Sequence, residues 1–137
     1  GTILNVPSFA ISLVGDKPFH YETAYPFAIE VAKYILDKSL PYDTLLNVNV
    51  PNVQRRDILK GMKITRQGKR IYDNAIQDTY SPWGDKHYWI GGGTPYWEQG
   101  EDMDIQAVLD KYVSVTPIHL DLTNYEALEY LKKQWKD

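Results

Sequence analysis

The feature that most restricts the fold is a strand, helix and strand written into the first fifty residues. Residues 9–14 (FAISLV) follow Pro7 as a nearly continuous apolar run, which suits a strand buried on both faces. Thr23 stands where an N-cap is needed, with Pro26 expected in the first turn, where a missing N–H is harmless. Ala24, Ala28, Val31, Ala32 and Ile35 form one apolar stripe, opposite Glu30, Lys33 and Asp37. Residues 45–50 (LLNVNV) read as a second strand, ended by Pro51. A strand, crossover helix and strand of this kind imply a right-handed βαβ unit and an α/β fold built on a Rossmann-type parallel sheet.

The chain closes on a second well-marked unit, residues 111–126 (KYVSVTPIHLDLTNYE). Residues 112–116 alternate as a short strand, with Val113 and Val115 on one face and Tyr112, Ser114 and Thr116 on the other. Pro117 cannot donate to a ladder, so the strand is expected to stop there or to continue only at an edge. Thr123 and Glu126 have the T-x-x-E spacing of a capping box, from which a helix runs toward the C-terminus. Leu128, Leu131 and Trp135 share one face of it, and Lys132 and Lys133 lie in its last turns, where the dipole favours cations.

Between these units the character changes after Pro51. Residues 62–65 suggest a strand. Residues 70–77 and 86–90 flank a Ser81-Pro82-Trp83-Gly84 turn, giving a long hairpin that carries Tyr72, Tyr80, Trp83, Tyr88 and Trp89. So many rings with few aliphatic partners make a hairpin that needs a second surface, on another subunit or on an edge of the main body. Residues 91–100 read as a loop, and Asp102 or Asp104 as the cap of a short helix bearing Ile105, Val108 and Leu109. The chain of 137 residues is expected to be one domain: a core α/β part over 1–60, an extended hairpin region over 61–100, and helix, strand and C-terminal helix over 101–137.

Bulk properties remove several classes. A hydrophobic fraction of 43% with 24% charged residues argues against disorder, and a net charge of −3 creates no overall attraction to nucleic acid or anionic lipid. No apolar run approaches the roughly 18–20 residues of a membrane span. The lack of cysteine excludes disulfides and thiolate metal sites and fits a reducing compartment, so a cytoplasmic location is the expectation. Eleven tyrosines and four tryptophans favour an interface without saying which.

No catalytic constellation is written in the residues themselves. His20, His87 and His119 lack H-x-x-x-H or H-E-x-x-H spacing. His119 follows a strand end, where α/β enzymes often keep functional groups, but a backbone-bonding loop histidine is the plainer reading. Glu101, Asp102 and Asp104 could hold Mg²⁺, yet acids ahead of a helix are also what capping and the dipole select, and capping carries more weight. Gly91-Gly92-Gly93 lacks the phosphate-cradle spacings and leads into Thr94-Pro95. Arg55, Arg56, Lys60, Lys63, Arg66, Lys69 and Arg70 form a basic set that could meet an anionic ligand, or could simply guard an exposed edge, which is the favoured account for most of them. Arg66, Lys69 and Arg70 are the candidates for a substrate-side role. Serine nucleophile motifs of the G-x-S-x-G or S-x-x-K type are missing.

Five stretches, taken together and in order, resemble one family: residues 5–12 (NVPSFAIS), 46–51 (LNVNVP), 63–72 (KITRQGKRIY), 88–92 (YWIGG) and 112–123 (YVSVTPIHLDLT). The chain resembles SurE, the survival-protein E nucleotidases, over essentially its whole length. The resemblance implies a metal-dependent phosphomonoesterase, or acid phosphatase, acting on nucleoside 5′- or 3′-monophosphates, with Mg²⁺ or Mn²⁺ held by paired aspartates. It also implies homodimers or homotetramers that exchange the C-terminal helix and hairpin, for which Tyr72, Tyr88, Trp89, Leu128, Leu131 and Trp135 are the interface candidates. Members carry their metal ligands in an N-terminal half, in an Asp-Asp-Gly, a serine and an asparagine ahead of Ser-Gly-Thr, and none of these is found here. No catalytic, cofactor-binding or metal-ligating residue is therefore transferred to this chain, which is expected to be inactive alone and to supply scaffold and oligomer contacts. Met103 stands where members usually have threonine. The alternatives are a non-catalytic oligomerisation module and, more weakly, nucleic-acid binding through the 55–70 patch.

Overall fold

The computed structural model describes residues 1–71, 76–90, 96–98 and 100–135. Its main sheet has four strands in the order β1, β2, β8, β3: β1 (Ser8–Val14), β2 (Thr44–Pro51), β8 (Val113–His119) and β3 (Met62–Ile64). β1 and β2 run parallel, joined through α1 (Tyr21–Lys38), as the sequence pattern requires. β8 lies antiparallel to β2 and parallel to β3, so the fold is mixed α/β.

One face of the sheet is apolar. Phe27, Val31 and Ile35 of α1 pack on Leu46, Val48 and Val50 of β2 and on Val113 and Val115 of β8. Val48, Val50 and Val113 are completely buried. The face of α1 that meets the sheet recurs every four residues from Thr23 through Phe27, Val31 and Ile35. It is thus turned toward Phe27 relative to the alanine-rich stripe expected from the sequence. α1 also begins earlier, at Tyr21 after His20, so Thr23 is not the N-cap; its hydroxyl donates to the His20 carbonyl at 2.7 Å. Pro26 consequently lies inside the helix rather than in its first turn, leaving the Glu22 carbonyl without its intrahelical donor.

The other face is polar. Pairing aligns Ser12, Asn49 and Ser114 in one row across β1, β2 and β8, and Ala10, Asn47 and Thr116 in the next. Short helix α2 (Asp104–Leu109) covers one end of this floor with Met103, Ala107 and Val108, all buried. Ser114 and Thr116 are buried beneath it, and the Thr116 hydroxyl shares a 2.8 Å hydrogen bond with that of Thr65.

One strand expectation needs correction, and one of two alternatives is decided. β1 is not buried on both faces: it is the edge strand, and Ala10, Ile11 and Ser12 are exposed. At Pro117 the second of the two expected courses is taken: β8 continues to His119 as a local edge, paired beyond Val115 with β2 alone among the described residues. The reason is directional. Val113 donates its N–H to the Gly61 carbonyl and Val115 accepts from Thr65, so the odd-numbered residues of β8 aim their backbone groups toward β3. β3 ends at Ile64, so Pro117 turns its missing donor to a side with no strand among the described residues, and the ladder to β2 is undisturbed.

The remaining elements stand off the sheet. β5 (Ile76–Tyr80) and β6 (Lys86–Ile90) form an antiparallel hairpin around the 81–85 turn, where the Ser81 hydroxyl accepts the Asp85 N–H at 3.0 Å. β4 (Arg70–Ile71) pairs with β7 (Tyr96–Trp97), so part of the stretch expected to be a loop is strand. Residues 91–95, including the glycine run, lie outside the described residues, as does Tyr72. α3 (Tyr125–Gln134) is exposed along its whole length. It is not opened by a Thr123 and Glu126 box: Asn124 is the N-cap, its side chain accepting the Ala127 N–H at 2.9 Å, while Thr123 N–H is taken by Asp121.

Candidate functional site

The carboxyl ends of parallel β1 and β2 lie side by side, the place where open α/β sheets bind ligands. Asn52, just past β2, organises the segment that leaves β1. Its Oδ1 accepts the His20 N–H at 3.0 Å, and its Nδ2 donates to the carbonyls of Asp16 at 2.6 Å and Pro18 at 2.9 Å. Gly15 has φ +143°, and a Cβ there would approach the Asn52 Cβ to 3.0 Å, so glycine is required both by conformation and by closeness.

On the polar side, the 65–69 segment leaves β3 and is strapped to the start of α2. Arg66 Nε donates to Asp102 Oδ2 at 2.7 Å, and its Nη2 lies 3.7 Å from Glu98 Oε1. Backbone bonds reinforce the strap in both directions, Arg66 N to Asp102 O at 2.9 Å and Asp104 N to Arg66 O at 3.0 Å. The Asp104 carboxylate accepts N–H groups from Gly68 and from its own neighbour Ile105. Neither acid caps α2 by the expected route. Met103 occupies the N-cap position, fully buried, and Asp104 is the first helical residue.

Beside this strap lies a cavity of about 330 Å³ lined by Asn47, Asn49, Gln67, Gly68, Trp97, Asp104, Ile105, Val108 and Val14. Asn49 reaches toward the Ser114 hydroxyl at 3.4 Å, and neither the Asn47 nor the Gln67 amide has a hydrogen-bond partner among the described residues.

The sequence candidates fall in different places. Arg66 belongs to the strap. Lys69 is exposed, its carbonyl accepting the Glu98 N–H at 2.9 Å. Arg70 contributes backbone to β4, opposite Trp97. Within the wider basic set, Arg55 pairs with Asp57 at 2.9 Å, Arg56 stacks over Phe27, and Lys60 and Lys63 stand over the Tyr112 ring. His20 contacts Glu22 at 3.2 Å, and His119 ends β8 opposite Thr44. Tyr88, Trp89 and Trp135 are each more than three-fifths exposed, and Leu128 and Leu131 are exposed too.

Metal binding needs several oxygen or nitrogen donors converging on one point. Among the described residues no group of three His, Asp or Glu does so. Asp102 is held by Arg66, and Asp104 by two backbone donors, so these acids do not fit a divalent cation. At the start of α3, the Thr123 and Tyr125 hydroxyls hold the Asp121 carboxyl down to about 2, and the same contact raises the Tyr125 phenol above its ordinary 10.0. No described helix is long and apolar enough to cross a membrane.

Sequence reasoning missed Asn47, Asn49, Gln67 and Trp97 as neighbours of one crevice, and Asn52 as the clamp on the 16–20 segment. The one signal available was the pair of asparagines alternating with valines in 45–50, where an inward face would ordinarily be aliphatic.

The comparisons bear on the whole of this arrangement. The family profile described as Survival protein SurE matches residues 1–74. The 5′-nucleotidase SurE of Aquifex aeolicus is 42% identical over 132 residues, covering 96% of this chain and 52% of the relative. That of Geobacter sulfurreducens is 43% identical over 132 residues, covering 96% and 50%. The crystal structure of the SurE protein from Aquifex aeolicus superposes with a TM-score of 0.77 at 38% identity, covering 97% of this chain and 53% of that one. The chain spans about half the length of the curated relatives it matches.

Proposed function

Because this chain belongs to the survival protein SurE family, we propose that it is the C-terminal portion of a nucleotidase that hydrolyses the phosphomonoester of nucleoside 5′- or 3′-monophosphates. The observation that carries this reading is the coverage: relatives named 5′-nucleotidase SurE align with nearly all of this chain but with only half of their own length. A divalent cation, Mg²⁺ or Mn²⁺, would be held by acids in the other half and would supply Lewis-acid stabilisation of the phosphoryl group. Asp102 and Asp104 are already committed to Arg66 and to backbone N–H groups, which supports placing the metal site elsewhere.

On this reading residues 1–60 contribute the core α/β part, 61–100 the extended hairpin region and 101–137 the closing helix, strand and helix. Two unsatisfied surfaces support a companion half. β1 has no strand on its outer edge among the described residues. α1 also carries a second apolar face, with Tyr21, Tyr25, Ile29 and Leu36 exposed. Arg66, Lys69 and Arg70 remain the residues proposed on the substrate side, with Arg66 fixing the segment that carries Lys69. Assembly into a homodimer or homotetramer is proposed through the hairpin and α3, with Tyr72, Tyr88, Trp89, Leu128, Leu131 and Trp135 at the contact. The exposure of rings on β6 and of apolar side chains along α3 favours it. A cytoplasmic location is proposed from the absence of cysteine.

The test is phosphate release by the full-length protein from nucleoside monophosphates, with Mg²⁺ or Mn²⁺ supplied and then removed by chelation. Turnover abolished by the chelator is expected. A protein that assembles but never releases phosphate would instead favour a non-catalytic oligomerisation module, which the same exposed hairpin and helix would serve.

A further inference from the structure

We infer that the cavity over Asn47 is a subsite for the base of the nucleotide, a flat heterocycle gripped by amides and a ring; this rests on the nucleotidase reading above. The floor of the cavity is a strand surface that carries asparagine where packing would call for aliphatic side chains. Asn47 and Gln67 each present a donor and an acceptor, and neither is engaged by a described residue. Asn47 is half-buried, where an amide without a partner is costly unless something else completes it, while Gln67 is exposed at the rim and free to turn its amide toward a ligand. Asparagine and glutamine side chains match the paired donor and acceptor on a base edge, and the indole of Trp97 is the kind of surface on which any base stacks. Val14, Ile105 and Val108 complete an apolar wall, and about 330 Å³ lies within the range of small-ligand pockets.

Charge decides which part of a nucleotide this cavity suits. Among the described residues the sole charged lining group is the Asp104 carboxylate, already bonded to Gly68 and Ile105, and a carboxylate repels rather than attracts phosphate. The neutral heterocycle is the part that fits. The position agrees, because Val14 ends β1 and places the cavity at the carboxyl edge of the parallel pair, beside where a phosphate would be handled.

Two measurements on the full-length protein test this. The first titrates it with unphosphorylated nucleosides, adenosine and guanosine among them, following amide shifts by NMR. Saturable binding is expected, weakened roughly tenfold by Gln67→Leu, which alters an exposed side chain, and by Asn47→Leu, which keeps the branched shape and removes the amide. The second compares hydrolysis of a nucleoside monophosphate with that of p-nitrophenyl phosphate. Gln67→Leu is expected to lower kcat/KM for the nucleotide by roughly tenfold while leaving the base-free substrate within about twofold. Absence of saturable nucleoside binding, binding indifferent to both substitutions, or equal losses on both substrates would overturn the subsite. If the protein hydrolyses neither substrate, the nucleotidase reading falls and the nucleoside titration still decides the subsite by itself.

Discussion

The Gly68 N–H donates to Asp104 Oδ1 across 2.9 Å, tying the segment that leaves β3 to the first residue of α2. A Cβ on residue 68 would stand 2.9 Å from that same carboxylate oxygen, so any larger residue there would have to push the carboxylate from its present position. Asp104→Ala strands two backbone donors in a partly buried place and is expected to cost about 1–3 kcal/mol. Asp104→Asn keeps an acceptor and should lose less. Chemical denaturation of the full-length protein measures both, and equal losses would show that acceptor geometry is unimportant there.

Asn52 joins three backbone groups of the 16–20 segment. Asn52→Ala frees them together, with an expected loss of about 1–3 kcal/mol and faster amide exchange confined to that segment. Hydrogen exchange checks this directly. Unchanged exchange at His20 would mean that the clamp is not what orders the segment.

Asp121 supplies a pH prediction. Its carboxyl lies at about 2 against an ordinary 3.8, through the hydroxyl of Thr123 first and that of Tyr125 second. A depressed carboxylate stabilises the folded form fully above its unfolded value, and that contribution is lost as pH falls through about 2. Tyr125 is displaced upward, so its share is complete below 10.0 and disappears as pH rises through its elevated folded value. Tyr125→Phe is expected to move Asp121 back toward 3.8 without reaching it, because Thr123 remains. A carboxyl NMR titration reads the shift.

The terminal helix supplies a prediction about assembly. Leu131 and Trp135 are 47% and 78% exposed, too much apolar surface to leave in water if the proposed oligomer forms through them. Light scattering should give the full-length protein a mass that is a multiple of its chain. Leu131→Asp combined with Trp135→Asp should shift it toward the monomer. A monomer before substitution would remove the assembly proposal.

Periodicity was enough to read the parallel pair, the helix between them and the hairpin. Each depends on local pattern: an apolar run bounded by proline, a stripe at helical spacing, a Ser-Pro-Trp-Gly turn. Pattern failed where a distant partner decides. FAISLV looks like a central strand, yet β1 is an edge here, because what covers a strand is not written in the strand. Pro117 announced a stop or an edge, and which of the two holds depends on how far β3 extends alongside it. Thr123 lost the cap to Asn124 because Asp121 takes the Thr123 N–H. The crevice was least legible of all. Its residues come from β1, β2, the 67–68 segment, β7 and α2, and only strand order brings them together. The family resemblance, by contrast, was plain in five motifs spread along the chain.

The central claim is that the reacting groups of the proposed nucleotidase lie outside these residues. Phosphate release from a nucleoside monophosphate in the presence of Mn²⁺, measured side by side for the full-length protein and for the isolated 137-residue chain, tests it most directly. The expected result is turnover by the full-length protein and none by the isolated chain. Metal-dependent turnover by the 137 residues alone would contradict it.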